Sequence, residues 1–254
     1  MADINLDGIQ TWYDERGAGD PLVLLHGGFS NATDFAGSLD TLADRFRLLM
    51  PERRGHGHTP DVDGPITLQV MAQDTIAFLE KVAGGPARLA GYSSGAGVAL
   101  YVAVQRPDLV ERLVLISGAA DLDGLIVRPG LGGEFPDVVV DAYAAISPDG
   151  REHFPVVVEK VVRGMEGQQA LTADELARVT CRTLVMAGDD DIVTLEHTLE
   201  LYRGLPDAEL AVVPRATHLL MFEKPALCAG IVADFLTGDS APTFMPIRRG
   251  AAVG

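Results

Sequence analysis

The chain has little cysteine: Cys181 and Cys228 are the only two in 254 residues, far apart and without a C-x-x-C spacing. So sparse a set excludes a disulfide framework and a thiolate metal site. Basic residues are also scarce. Lys and Arg number 20 against 36 Asp and Glu, and the formal charge of −16 repels polyanions at long range. A role on nucleic acid is excluded, as is attraction to an acidic lipid surface. No apolar run reaches the roughly 18 residues that a membrane span requires. The opening Met1-Ala2-Asp3-Ile4-Asn5 lacks the basic start and apolar stretch of a secretion signal, so the expected location is the cytoplasm. Apolar residues, by contrast, make up 47% of the chain, enough to fill a large core and incompatible with a disordered protein. The length suits one α/β domain with a modest insertion, as a monomer or a homodimer.

Short β-type runs alternate with helical patterns from about residue 20 to 119 and again from about 182 to 238, which predicts a mostly parallel, doubly wound α/β sheet. The predicted strands are Leu22 to Leu25, Arg47 to Met50, Arg88 to Tyr92, Arg112 to Ile116, Thr183 to Ala187 and Glu209 to Val213. Most are near-continuous apolar runs, as expected when both sheet faces are covered. Ile9 to Asp14 reads as an antiparallel edge strand. Helices are predicted over Leu68 to Val82, Gly95 to Gln105, Leu195 to Tyr202 and Pro225 to Leu236. The alternation breaks between Ala120 and Thr180, where Pro129-Gly130, Gly132-Gly133 and Phe135-Pro136 precede two helical stretches, Val138 to Ile146 and Val156 to Met165. Residues 1–119 and 181–238 therefore form the expected core, 120–180 a small helical lid insertion, and 239–254 a tail without periodicity.

Gly91-Tyr92-Ser93-Ser94-Gly95 follows a predicted strand and opens a helix, the setting in which G-x-S-x-G has a mechanical meaning. A turn that sharp strains the serine backbone, makes side chains two residues to either side collide, and pushes the Ser93 hydroxyl outward. The helix that begins there aims its unpaired N–H groups at any anion formed beside Ser93, and Ser94 supplies one of them by position. With seven serines and 28 glycines in the chain, roughly 0.09 such pentapeptides arise by chance.

Three further motifs accompany it: His26-Gly27-Gly28-Phe29, Arg54-Gly55-His56-Gly57-His58-Thr59, and the pair Gly188-Asp189-Asp190-Asp191 with Thr217-His218-Leu219 through Pro225. Together they resemble the α/β-hydrolase family, in the lid-bearing group of small esterases, lactonases, C–C bond hydrolases and cofactor-free haloperoxidases. The second motif departs from the family's D-x-R-G-x-G-x-S in having Glu52 and Thr59. A serine hydroxyl needs a base near pKa 7 to attack, and the resemblance places that base at His218. The resemblance puts the carboxylate that orients the base three residues beyond the glycine ending its strand, which from Gly188 is Asp191, with Asp189 and Asp190 left as turn residues or a helix cap. Asp121, just past the preceding strand, is the competing position. The resemblance puts the second oxyanion donor on Gly28 and lines the acyl pocket with Phe29, and the substrate-binding candidates are Phe29, Tyr92 and Leu219.

The implied activity is hydrolysis of a small carboxylic ester or lactone through an acyl-enzyme, with no cofactor. Apolar lid residues such as Leu122, Leu125, Ile126, Leu131 and Val138 to Val140 point to an apolar acyl or alcohol group. The same residues would also serve C–C bond cleavage, perhydrolysis or halide oxidation, and a ligand receptor could keep the fold with a slow triad. His56-Gly57-His58 with Asp61 superficially matches a metallohydrolase H-x-H-x-D but is one residue out of register, so no metal is expected. His26 reads as a residue that orders its loop, and His153 and His197 as exposed.

Overall fold

The computed structural model of the chain describes residues 2–128, 135–238 and 244–245. Its strands are β1 (Ala2–Leu6), β2 (Ile9–Arg16), β3 (Pro21–Leu25), β4 (Arg47–Pro51), β5 (Ala87–Tyr92), β6 (Val110–Ile116), β7 (Arg182–Asp190) and β8 (Ala208–Thr217). They form one sheet in the order β1-β2-β4-β3-β5-β6-β7-β8. The β1/β2 and β2/β4 pairs are antiparallel and all others parallel. Successive strand residues supply two separate cores: Val23, Leu25 and Leu49 pack on one face, Leu22, Leu24, Leu48 and Met50 on the other. That two-sided burial is why these strands read as continuous apolar runs.

In chain order the helices are α1 (Leu68–Phe78), α2 (Ser94–Gln105), α3 (Asp137–Ala144), α4 (Phe154–Glu166), α5 (Ala173–Leu176), α6 (Leu195–Gly204), α7 (Leu220–Glu223) and α8 (Pro225–Thr237). Residues of α1, α2 and α6 join the first core and those of α8 the second, so the sheet is covered on both faces. None of the helices is long and apolar enough to cross a membrane.

Three expectations need correction. Ile9 to Asp14 lies in β2, which is interior, because β1 pairs outside it. The missed signal is Asp7-Gly8, a two-residue turn with both φ values positive, the geometry of a tight hairpin. The helix predicted to run to Val82 is α-helical only to Phe78, continues as one π turn over Leu79–Ala83, and ends on Gly84 at φ +88°. Asp189 and Asp190 end β7 and cap nothing; α6 is capped by the Thr194 hydroxyl, which accepts from the His197 N–H. The predicted irregular stretch at Pro129-Gly130 and Gly132-Gly133, Leu131 and most of the 239–254 tail lie outside the described residues.

The segment between β6 and β7 carries α3, α4 and α5. It stands over the carboxyl ends of the parallel strands, where ligands of open α/β sheets collect. Aromatic packing holds it there: Phe135 lies 4.6 Å from Phe29 and 5.4 Å from Phe154, measured between ring centres. Asp61, in the loop after β4, accepts from Lys160 of α4 at 2.6 Å and lies 2.9 Å from the His153 ring.

Candidate active site

A sharp, strained turn joins β5 to α2. Ser93 has φ +54° and ψ −121°, a conformation that costs a non-glycine residue of order 1–3 kcal/mol and persists only when its surroundings impose it. Its N–H donates to the Ile116 carbonyl at 2.8 Å, which ties the turn to β6. A Cβ at Gly91 would collide with the Gly95 carbonyl, and a Cβ at Gly95 would collide with the carbonyls of Leu25 and His26. Backbone packing therefore requires both glycines of the pentapeptide.

The turn brings Ser93 to His218, 125 residues away, with Ser93 Oγ 3.0 Å from His218 Nε2. His218 follows β8, and its Nδ1 lies 2.7 Å from Asp191 Oδ1 in the loop after β7. The other oxygen, Oδ2, accepts from the Ser117 hydroxyl at 2.5 Å and from the Gly188 N–H at 3.3 Å. Burial pushes the Asp191 carboxyl up, but the hydrogen bonds from His218 and Ser117 and the charge on His218 outweigh it and hold the group below its ordinary value. Asp191 is therefore a carboxylate at neutral pH, an acceptor that fixes a proton on His218 Nδ1 and leaves Nε2 free to accept. Tyr92 adds a restraint: its hydroxyl donates to the His218 carbonyl at 2.8 Å, and its ring centre lies 5.3 Å from the imidazole. Sequence reasoning missed Ser117; its φ of +50° marks a second sharp strand end, and no sequence motif announces it.

Gly28 and Ser94 flank Ser93, with the Gly28 Cα facing the Ser94 side chain. Among the described residues neither N–H finds an acceptor within the protein. The loop holding Gly28 is fixed from below: the Gly27 N–H donates to Asp34 at 2.7 Å, and His26 Nε2 accepts from the Arg53 N–H at 3.1 Å. His26 is fully buried and orders its loop, as expected. Glu52 and Thr59, the two departures from the family motif, are both buried. Glu52 accepts from the N–H groups of Ala32 and His58, and Thr59 donates to the Glu52 carbonyl, so the altered pair still stabilises its loop.

Above Ser93 lies a cavity of about 460 Å³. Its floor includes Gly28, Phe29, Tyr92 and His218, and its roof includes Leu122, Leu125, Phe135, Val139 and Met165. Phe29, Tyr92 and Leu219 all line it, Tyr92 with its hydroxyl already engaged. Ile126 and Val138, expected as pocket residues, are instead exposed. Asp121 also lines the cavity, but it is Asp191 that meets His218. His197 is not exposed as expected: it is buried and its Nε2 accepts from the Ala120 N–H at 2.9 Å, anchoring the start of the β6–β7 segment. His153 is half-buried against Asp61. The residues of the H-x-H-x-D pattern face separate partners: His56 lies against the Arg54 carbonyl, His58 against Glu52 and Asp61 against Lys160.

Comparison with known proteins places this geometry in context. The chain is 27% identical to a 2-hydroxymuconate semialdehyde hydrolase of Pseudomonas sp. strain CF600, over 92% of this chain and 93% of that one. It is 28% identical to an sn-1-specific diacylglycerol lipase of Mus musculus, over 85% and 80% of the two chains. A solved esterase of Thermogutta terrifontis shares the fold with a TM-score of 0.75 at 22% identity, covering 93% of this chain and 98% of that one. The model of the alpha/beta hydrolase family matches residues 22–231. This protein belongs to that family and is an enzyme of the alpha/beta hydrolase type.

Proposed function

We propose that the chain hydrolyses a small, uncharged carboxylic ester or lactone through an acyl-enzyme on Ser93. The observation that carries this reading is the unbroken series from Asp191 through His218 to Ser93, with contacts of 2.7 and 3.0 Å, at the floor of the cavity. Ser93 Oγ attacks the substrate carbonyl as His218 Nε2 takes its proton, and Asp191 stabilises the imidazolium. The carbonyl oxygen, now an anion, accepts from the N–H groups of Gly28 and Ser94, each worth about 3 kcal/mol in the transition state. The tetrahedral carbon then expels the alkoxide, which leaves as the alcohol with the proton from His218. Water, deprotonated by the same imidazole, attacks the acyl-Ser93 ester, releases the acid and restores the hydroxyl. The segment over the cavity acts as a lid that excludes bulk water.

The charge of the cavity favours uncharged substrates. Among its described lining residues there is no Lys or Arg, and the acidic side chains are Asp34 and Asp121. A substrate carrying a carboxylate finds no counter-ion there. Incubation with a fluorophosphonate, followed by peptide mass spectrometry, tests the nucleophile: an adduct on Ser93 is expected, and an adduct elsewhere would overturn the assignment. Paired p-nitrophenyl butyrate and p-nitrophenyl hemiglutarate test the substrate class, with the neutral ester expected to be turned over at least about tenfold more efficiently. Equal kcat/KM for the two would refute the preference for neutral acyl groups.

A further inference from the structure

Arg53 takes no part in the steps above, yet it is one of the most enclosed charges in the molecule, 4% exposed. It follows β4 at the unspecified second position of the D-x-R-G-type motif. Burying a charge without a paired counter-ion is costly; among the described residues no carboxylate lies within salt-bridge distance of Arg53, and the opposing charge of Asp34 acts on it only from further off. Its donors go instead to two neighbouring segments. Nη2 lies 2.5 Å from the His26 carbonyl and 2.8 Å from the Gly27 carbonyl, and Nη1 and Nη2 reach Ser94 Oγ at 3.2 and 3.1 Å. Nη1 also lies 3.7 Å from Met71 Sδ and Nη2 3.2 Å from His26 Nδ1, while Nε finds no hydrogen-bond partner, so the oxygen contacts of the fork all fall on these two segments.

The Gly27 carbonyl and the Gly28 N–H belong to one peptide group. A donor on the oxygen draws electron density from the nitrogen and makes its N–H a stronger donor, the cooperative strengthening seen along hydrogen-bonded chains. Two donors converge on this oxygen. Because His26 Nε2 accepts from the Arg53 N–H, its Nδ1 carries the proton, and Nδ1 lies 2.7 Å from the Gly27 carbonyl. On the other side, the guanidinium engages the hydroxyl of Ser94, the residue whose N–H opens α2. Burial lowers the guanidinium to about 10, which still leaves it charged at neutral pH. Burial and Arg53 together bring His56 down to about 3 and hold His26 well below its ordinary value, so both rings are neutral.

We infer that Arg53 is a positioning residue of the anion site: its guanidinium bridges the Gly27 carbonyl and the Ser94 hydroxyl, holding in place the two N–H groups that receive the substrate's developing charge and polarising that of Gly28. This rests on the acyl-transfer reading of Ser93. A lysine keeps the charge but loses the planar fork that spans both segments.

Arg53→Lys and Ser94→Ala, the latter retaining its backbone N–H, are to be compared with the parent for kcat and KM on p-nitrophenyl butyrate. Affinity for phenylboronic acid, which forms a tetrahedral anion on the nucleophile, is measured alongside. Arg53→Lys should lower kcat by about 10- to 100-fold and weaken the boronic acid in proportion, with KM within threefold. Ser94→Ala should move both quantities the same way by about three- to tenfold, and it decides the matter if the lysine variant does not fold. A folded Arg53→Lys with kcat within twofold of the parent, or with reduced kcat and unchanged boronic acid affinity, would overturn the inference. So would a Ser94→Ala variant unchanged in both. Failure of the underlying reading looks different: the unsubstituted chain would then take no fluorophosphonate on Ser93.

Discussion

Around Ser93 the tolerances are set by backbone atoms: a Cβ at Gly91 or Gly95 has nowhere to go, and the φ of +54° at Ser93 is imposed by strand and helix together. Over the same cavity, the body of the segment between β6 and β7 is held by side chains, through the Phe29, Phe135 and Phe154 cluster and the contacts of Asp61 with Lys160 and His153, while backbone bonds at Gly124 and Ile126 tie its start to the loop after β7. At Gly164 an added Cβ would strike the Ile66 carbonyl, so there too the segment presses closely against backbone. On the proposed acyl-transfer reading, the reacting groups stand on parts that change only at great cost, and the walls that would meet the substrate on parts that many sequences could build. Substitutions in the first region should act on kcat or on folding, and those in the second on KM.

The largest effect is expected from Ser93→Ala, which should reduce kcat by about 10³-fold or more in a chain that still folds, as read by ester turnover and circular dichroism. Near-full activity in that variant would break the contrast at its centre. Asp191→Asn presents His218 with the wrong tautomer and should lower kcat by about 10²- to 10⁴-fold with little change in KM. Gly95→Ala, at the site of the backbone collision, should destabilise the fold by about 3 kcal/mol or more in urea unfolding. A stable Gly95→Ala chain would show that the turn has slack the geometry denies. Asp61→Asn removes the charge that holds Lys160 and should raise KM by about two- to tenfold with kcat nearly unchanged. If kcat fell instead, the two regions would be mechanically one.

The smallest effect concerns acid stability. The carboxyl of Asp191 is held below its ordinary value, so the stability it contributes is fully present above its unfolded pKa of about 3.9 and is lost as pH falls toward the folded value. Thermal melting from pH 7 to pH 3 should therefore show a steeper loss for the parent than for Asp191→Asn. Parallel curves would indicate that the contacts of Asp191 with His218 and Ser117 do little for the fold.

How much of this was legible in the sequence follows the same division. The pentapeptide could be read because its glycines answer to backbone collisions, and His218 and Asp191 because the family resemblance fixes where the base and the acid fall after their strands. Arg53, Ser117 and the Tyr92 hydroxyl were hidden: they meet carbonyls or side chains that lie 26 to 126 residues away, and no local pattern encodes such partners. β1 was missed because five residues give too little periodicity, although Asp7-Gly8 marked its turn. His197 was misread as exposed, yet His197, Thr198 and Leu201 share the buried side of α6 at helical spacing, a stripe that a polar residue partly disguises.

The hydrogen bond from Tyr92 to the His218 carbonyl has a dynamic consequence. Because Tyr92 immediately precedes Ser93, a drift of the loop after β8 pulls on the residue next to Ser93, which couples the position of His218 to that of Ser93. Thermal agitation of that loop then changes where the pair sits before it changes the gap within it. On the acyl-transfer reading, an arriving substrate would meet a proton acceptor already held beside Ser93.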